Sequence, residues 1–230
     1  MGRDQGFTLI ELMIVIAIIA VIAAIAIPGL MASQRAANER NASSSLKTLG
    51  SAEADFRSND RDGNKVQDFW TREVAGLYCI KTIDSTGLPI KLIDLSVAAA
   101  DSDPLAVAAG QYDPLISSYA NQTPKSGFWY WALQSDLATS EDYTQATGGS
   151  PAVGTDHYHM AMWGFMAYPD VVNSTGKTAY ILNEGNMMFK RQLTTQIRPS
   201  SLTPPGAVVA PGFTDWPTET MIKTYWAPLD

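Results

Sequence analysis

The sequence predicts an α+β protein in which one long N-terminal α-helix lies against an antiparallel β-sheet. Three observations carry this. An unbroken apolar run extends from Phe7 to Ile27. Apolar residues at helical spacing continue it to about Phe56. Beyond Arg57, short aromatic and β-branched runs alternate with Gly, Pro, Asn and Asp, the pattern of strands and turns.

The apolar run follows a short polar stretch, Met1-Gly2-Arg3-Asp4-Gln5-Gly6, and contains a single charged residue, Glu11. Twenty-one helical residues rise about 31 Å, close to the hydrocarbon thickness of a bilayer. A run this long, apolar on every side, is a membrane span rather than a surface helix. A cleaved secretory signal would have a shorter apolar centre and a small-residue site after it. A plain membrane anchor has no use for an acid at that depth, because an ionisable group in a span needs a partner. Read from the sequence, Glu11 has none within its own segment.

Gly6-Phe7-Thr8-Leu9-Ile10-Glu11 resembles the cleavage and methylation signal of type IV prepilins and type II secretion pseudopilins. The resemblance covers roughly the first 35 residues. It implies a cut after Gly6 by a dedicated membrane peptidase and methylation of the new amine on Phe7. It also implies a glutamate, here Glu11, that neutralises the N-terminal amine of a neighbouring subunit during assembly. Pro28-Gly29 sits where many members carry a helix-breaking proline. Independently of the family, Phe7 and Glu11 lie about one helical turn apart, and an unpaired carboxylate in lipid costs several kcal/mol. A second subunit offset along the axis brings its amine to that carboxylate, so the buried acid sets register.

The expected division is 1–6 leader, 7–28 membrane span and filament core, 29–56 amphipathic half-helix, and 57–230 β-rich head. In the amphipathic half, Leu46, Leu49, Ala52 and Phe56 recur at helical spacing, with Lys47, Ser51 and Glu53 placed on other faces. Gly50 weakens this helix, and Pro28-Gly29 kinks or loosens it, since proline leaves a carbonyl one turn earlier without its donor. Candidate strands are Gly76 to Ile83, Ile90 to Leu95, Phe128 to Leu133, His157 to Ala167, Thr178 to Leu182 and Asn186 to Arg191. A short helix is expected around Asp113 to Tyr119, and Pro199 to Pro217 reads as an irregular surface arm.

Outside the N-terminus the sharpest constellation is Asp60-Arg61-Asp62-Gly63-Asn64-Lys65-Val66-Gln67-Asp68. Oxygen side chains at alternate positions, a glycine turn and a later carboxylate suit a hard cation such as calcium. Asp60, Asp62, Asn64 and Asp68 would converge, with the Val66 carbonyl between them. With Gly63 as the sixth residue of an EF-hand loop, the first position falls on Ser58 and the last on Phe69, which is no ligand. The alternative is a solvated Asp-Gly-Asn turn. His157 and His159 share a face of a predicted strand and read as two surface histidines in place of a transition-metal pair. Phe128-Trp129-Tyr130-Trp131 is expected to alternate between core and surface.

The chain has 230 residues, 46% apolar and 17% charged, with a formal net charge of -7. That suits one globular head plus an appendage and is not the composition of a disordered chain, and the acidic balance argues against a nucleic-acid-binding body, which would normally show a basic face. Cys79 is the sole cysteine, so no intramolecular disulfide forms, and it reads as a small buried apolar residue. Enzyme signatures such as G-x-S-x-G, H-E-x-x-H and G-x-x-x-x-G-K-[ST] do not occur, and no catalytic residue is assigned. The resemblance implies a homopolymer held singly in the inner membrane, then built by pilus or type II secretion machinery into a periplasmic or extracellular filament. Two alternatives stand beside a type IV pilus subunit: a type II secretion pseudopilin, and a membrane-anchored binding domain using the same export route.

Overall fold

A computed structural model describes residues 7–81, 88–104, 115–145, 157–196 and 215–229. Helix α1 runs from Leu9 to Ser58, 50 residues without a break through Pro28, Gly29 and Gly50. Pro28 thus does not end the helix. Proline removes one ladder bond while intact turns continue on either side. Downstream, the Ser33 hydroxyl donates to the Gly29 carbonyl at 3.0 Å.

The head is built on a five-stranded antiparallel sheet. Its strands are β2 (Phe128–Ala132), β6 (Gly164–Pro169), β7 (Thr178–Asn183), β8 (Met188–Gln192) and β9 (Ala227–Pro228), in the order β2-β6-β7-β8-β9. Register is set by pairs such as Trp131 opposite Met166, Phe165 opposite Leu182 and Ile181 opposite Phe189. Smaller ladders join β1 (Phe69–Trp70) to β5 (Tyr158–His159), and β3 (Ser135–Asp136) to β4 (Glu141–Asp142). Three short helices complete the described residues: α2 (Gly76–Cys79), α3 (Leu95–Ala98) and α4 (Glu219–Tyr225).

The period of two along each strand divides the side chains between two cores. Phe128, Tyr130, Phe165, Ala167, Tyr180 and Leu182 join Leu46, Leu49, Ala52 and Phe56 of α1 in one. Trp131, Met166, Ala179, Ile181, Phe189, Trp216 and Trp226 form the other. The sheet is thus covered on both faces, which corrects the expected alternation of the 128–131 aromatics between core and surface: Phe128, Tyr130 and Trp131 are buried and Trp129 half-buried. Burying each large side chain is worth about 1.5–3 kcal/mol. Trp216 is buried as well, so the end of the expected surface arm belongs to the core; residues 197–214 lie outside the described residues.

Gly50 does not weaken α1 without return. A methyl group there would stand 3.2 Å from both Leu182 and Trp163, so the missing side chain lets the helix approach the sheet. Two expected strands are not strands. Gly76 to Cys79 is a helical turn, and the Ala75 N–H just before it donates to the buried Asp101 carboxylate at 2.7 Å; Ile83 lies outside the described residues. Ile90 to Leu95 makes single main-chain bonds to the α2 region, Ile90 N to Ile80 O and Leu92 N to Leu77 O, before α3 begins. The helix expected around Asp113 to Tyr119 is a 3-10 turn at Ile116–Ser118, with Asp113 outside the described residues.

Candidate functional site

The N-terminal half of α1 stands clear of the head. From Leu9 to Gln34 its side chains are exposed, Ala23 alone being intermediate, and the first buried residue is Ala42. This free stretch rises about 39 Å. Phe7 is 80% and Ile25 77% exposed, so a continuous apolar surface has no cover within the chain. Among the described residues this is the one helix long and apolar enough to cross a membrane. The head grips the helix below it through polar contacts. Arg35 donates to the Asn173 carbonyl (2.8 Å), Asn38 to the Thr175 carbonyl (3.0 Å), and the Lys177 N–H to Glu39 (2.7 Å).

At the tip, Glu11 does have a partner within its own segment, which corrects the expectation from sequence. Thr8 is the N-cap of α1, and its hydroxyl accepts the Glu11 N–H at 3.3 Å. Glu11 Oε2 in return accepts the Thr8 N–H (2.9 Å) and the Thr8 hydroxyl (2.7 Å). This reciprocal capping box satisfies helix-end donors and orients the carboxylate. Both of these bonds fall on Oε2, so Oε1 takes no part in the box. Gly6 lies outside the described residues; Phe7 precedes the cap, and Pro28 lies within the exposed part of α1.

The second candidate is the loop after α1. Asp62, Asn64 and Asp68 are buried, while Asp60 and Val66 are half-buried. The Asn64 side-chain amide donates to Asp68 at 3.4 Å, and its N–H to Asp62 at 3.4 Å. Asp60 is turned to the backbone, accepting the Lys65 N–H on both oxygens at 3.2 and 3.1 Å. The structure thus brings Asp62, Asn64 and Asp68 together and holds Asp60 at the rim.

Sequence reasoning missed Glu53. It was placed on a polar face of α1, yet it is fully buried. Its spacing carried the signal, because it lies seven residues after Leu46, four after Leu49 and three before Phe56, on the core stripe. Glu53 Oε2 accepts the Trp70 N–H at 3.1 Å, while Oε1 is buried without a hydrogen-bond donor. Desolvation, with the nearby Asp68 charge adding to it, pushes the Glu53 carboxyl well above the usual range. Asp62 shifts the same way for the same two reasons.

The histidines are buried, not on the surface as expected. His159 Nδ1 accepts the N–H groups of Ala161 (3.0 Å) and Met162 (2.8 Å), so Nε2 carries the proton toward Glu141 at 3.2 Å. The His157 ring packs edge-on to Trp70. Among the described residues, no three His, Cys, Asp or Glu side chains gather closely enough to hold a metal ion by themselves. Cys79 is buried as expected.

The model of the prokaryotic N-terminal methylation motif matches residues 1–27. Over 67 residues the chain is 50% identical to the type IV major pilin protein PilA of Myxococcus xanthus (strain DK1622). That similarity covers 29% of this chain and spans 29% of the relative's length. No solved structure matches the chain. The first 27 residues are thus a prokaryotic N-terminal methylation motif of the prepilin kind, carried on a long-helix α+β protein.

Proposed function

We propose that this chain is the structural subunit of a type IV pilus-like filament. A prepilin peptidase cuts after Gly6 and methylates the new amine on Phe7, residues 7–28 hold the subunit in the inner membrane, and an assembly machine then polymerises it through α1. The role is mechanical and no side chain is assigned to catalysis. The carrying observation is the bare apolar half of α1, exposed on every side while the other half is locked into the head. Such a surface is stable in lipid or against copies of itself, and not in water.

Glu11 gives this packing its register. Thr8 satisfies one oxygen with neutral donors, which does not offset the charge of a carboxylate in a low-dielectric core. The amine of a neighbouring Phe7 supplies both the charge and a donor for the second oxygen. Pro28 leaves the Ala24 carbonyl without its donor, a weak point where α1 unwinds once helices pack in the fibre.

Mass spectrometry of fibres sheared from cells tests this. The dominant chain should begin at a mono-methylated Phe7, and a Gly6→Val chain should keep its leader and be missing from the fibre. A chain processed at Phe7 that stays with the cell and is needed for export of other proteins would make it a type II secretion pseudopilin. A cut chain that remains a membrane monomer overturns the proposal.

A further inference from the structure

We propose that Glu53 of α1 and the loop 60–68 form a calcium site that ties the end of the long helix to the head. This stands whether or not the chain polymerises. The register of the loop comes from its backbone. The sixth residue of a calcium loop makes a turn that usually needs glycine. Asp60, Gly63 and Lys65 are all left-handed, and Lys65, at φ 65°, is the one whose N–H is bound by the Asp60 carboxylate. Counting from Asp60 as the first position puts Asp62 third, Asn64 fifth, the Val66 carbonyl seventh and Asp68 ninth. The register based on Gly63 is thereby shifted by two residues; Gly63, at φ 72°, makes an additional turn at the fourth position.

The independent observation is Glu53. In this register the closing acid at position twelve would be Thr71, whose hydroxyl is already committed to the Tyr143 and His157 carbonyls. Glu53 enters from the preceding helix instead: its Oε1 is fully buried without a donor, and its carboxylate lies near enough to Asp68 to feel that charge, while the Asp62 carboxylate, also buried, has the Tyr158 hydroxyl beside it. Burying such oxygens is costly unless something positive meets them. The neighbouring arginines are engaged elsewhere: Arg61 pairs with Asp55 at 2.8 Å, while Arg57 donates to the Gln67 carbonyl and lies over the Phe69 ring. The oxygen-only donor set, including an amide and a main-chain carbonyl, selects a hard cation. Carboxylates that repel one another draw inward when the ion arrives, and Asn64 and Val66 supply what the acids alone do not.

The full-length chain in detergent, stripped with chelator, provides the test. Calcium titrated by calorimetry should bind with one-to-one stoichiometry. At a hundred-fold excess over its dissociation constant it should raise the unfolding midpoint by about 5–10 °C, with magnesium doing much less. Terbium in place of calcium should luminesce on excitation of the adjacent Trp70 and be displaced by calcium. Glu53→Gln and Asp62→Asn should each abolish the calcium shift without lowering the midpoint of the chelated protein, because each removes a buried charge. Asp142→Asn, on an exposed strand, should leave the shift intact. A folded wild-type chain showing neither heat, midpoint shift nor terbium signal overturns the proposal, as does an undiminished response in both site variants.

Discussion

A Glu11→Gln chain should insert in the membrane and lose its leader, yet leave at least about ten-fold less fibre in the sheared fraction. Glutamine keeps the carbonyl oxygen that accepts from Thr8, so the capping box survives and only the charge is lost. A charge-assisted hydrogen bond is worth about 1.5–3 kcal/mol, and each 1.4 kcal/mol is about ten-fold in an association constant, repeated at every subunit. Glu11→Leu loses the cap too, which adds about 1 kcal/mol of helix-end fraying, and should assemble no better. Quantifying sheared fibre against membrane-bound processed chain checks both variants. Wild-type yields from Glu11→Gln would mean that the carboxylate serves its own helix alone.

Gly76→Ala should destabilise the head by about 3 kcal/mol or more, read from chemical unfolding, because added volume has no room in a packed core. A methyl group at Gly76 would fall inside the Trp70 indole. Trp70 cannot step aside: it is fully buried, its indole N–H donates to the Glu73 carbonyl at 2.9 Å, and its main-chain N–H is held by Glu53. Gly29→Ala is the counterpart. Nothing stands within 4 Å of that position, and alanine favours a helix by about 1 kcal/mol over glycine, so its unfolding midpoint should be unchanged or slightly higher. Equal losses from the two substitutions would contradict the packing around Trp70.

The long N-terminal helix was legible because its signals are local. A run of apolar residues from Phe7 to Ile27 needs no tertiary context to be read as a span, and the periodic Leu46, Leu49, Ala52 and Phe56 do face the sheet. The strands at Phe128, Thr178 and Met188 were legible for the same reason, since aromatic and β-branched residues between turn residues carry the pattern themselves. What failed was decided by distant partners. Gly76 to Cys79 has strand-like composition but coils where Asp101 holds the Ala75 N–H. His157 and His159 were taken as surface residues because nothing in their strand reveals Trp70 or Glu141 across from them. Glu53 was assigned by its charge when its position on the core stripe was the better guide. In the 60–68 loop glycine marked the obvious turn, and nothing in the sequence showed that Lys65 takes a left-handed conformation as well.

The filament itself decides the matter most directly. Imaging purified fibres at side-chain resolution should place the methylated Phe7 nitrogen of one subunit within about 3 Å of the Glu11 carboxylate of another, with Thr8 still on Oε2. If every Phe7 amine instead turns back to the Glu11 of its own chain, or the subunits meet through their heads with α1 left outside the core, helix-borne charge pairing does not hold the polymer together.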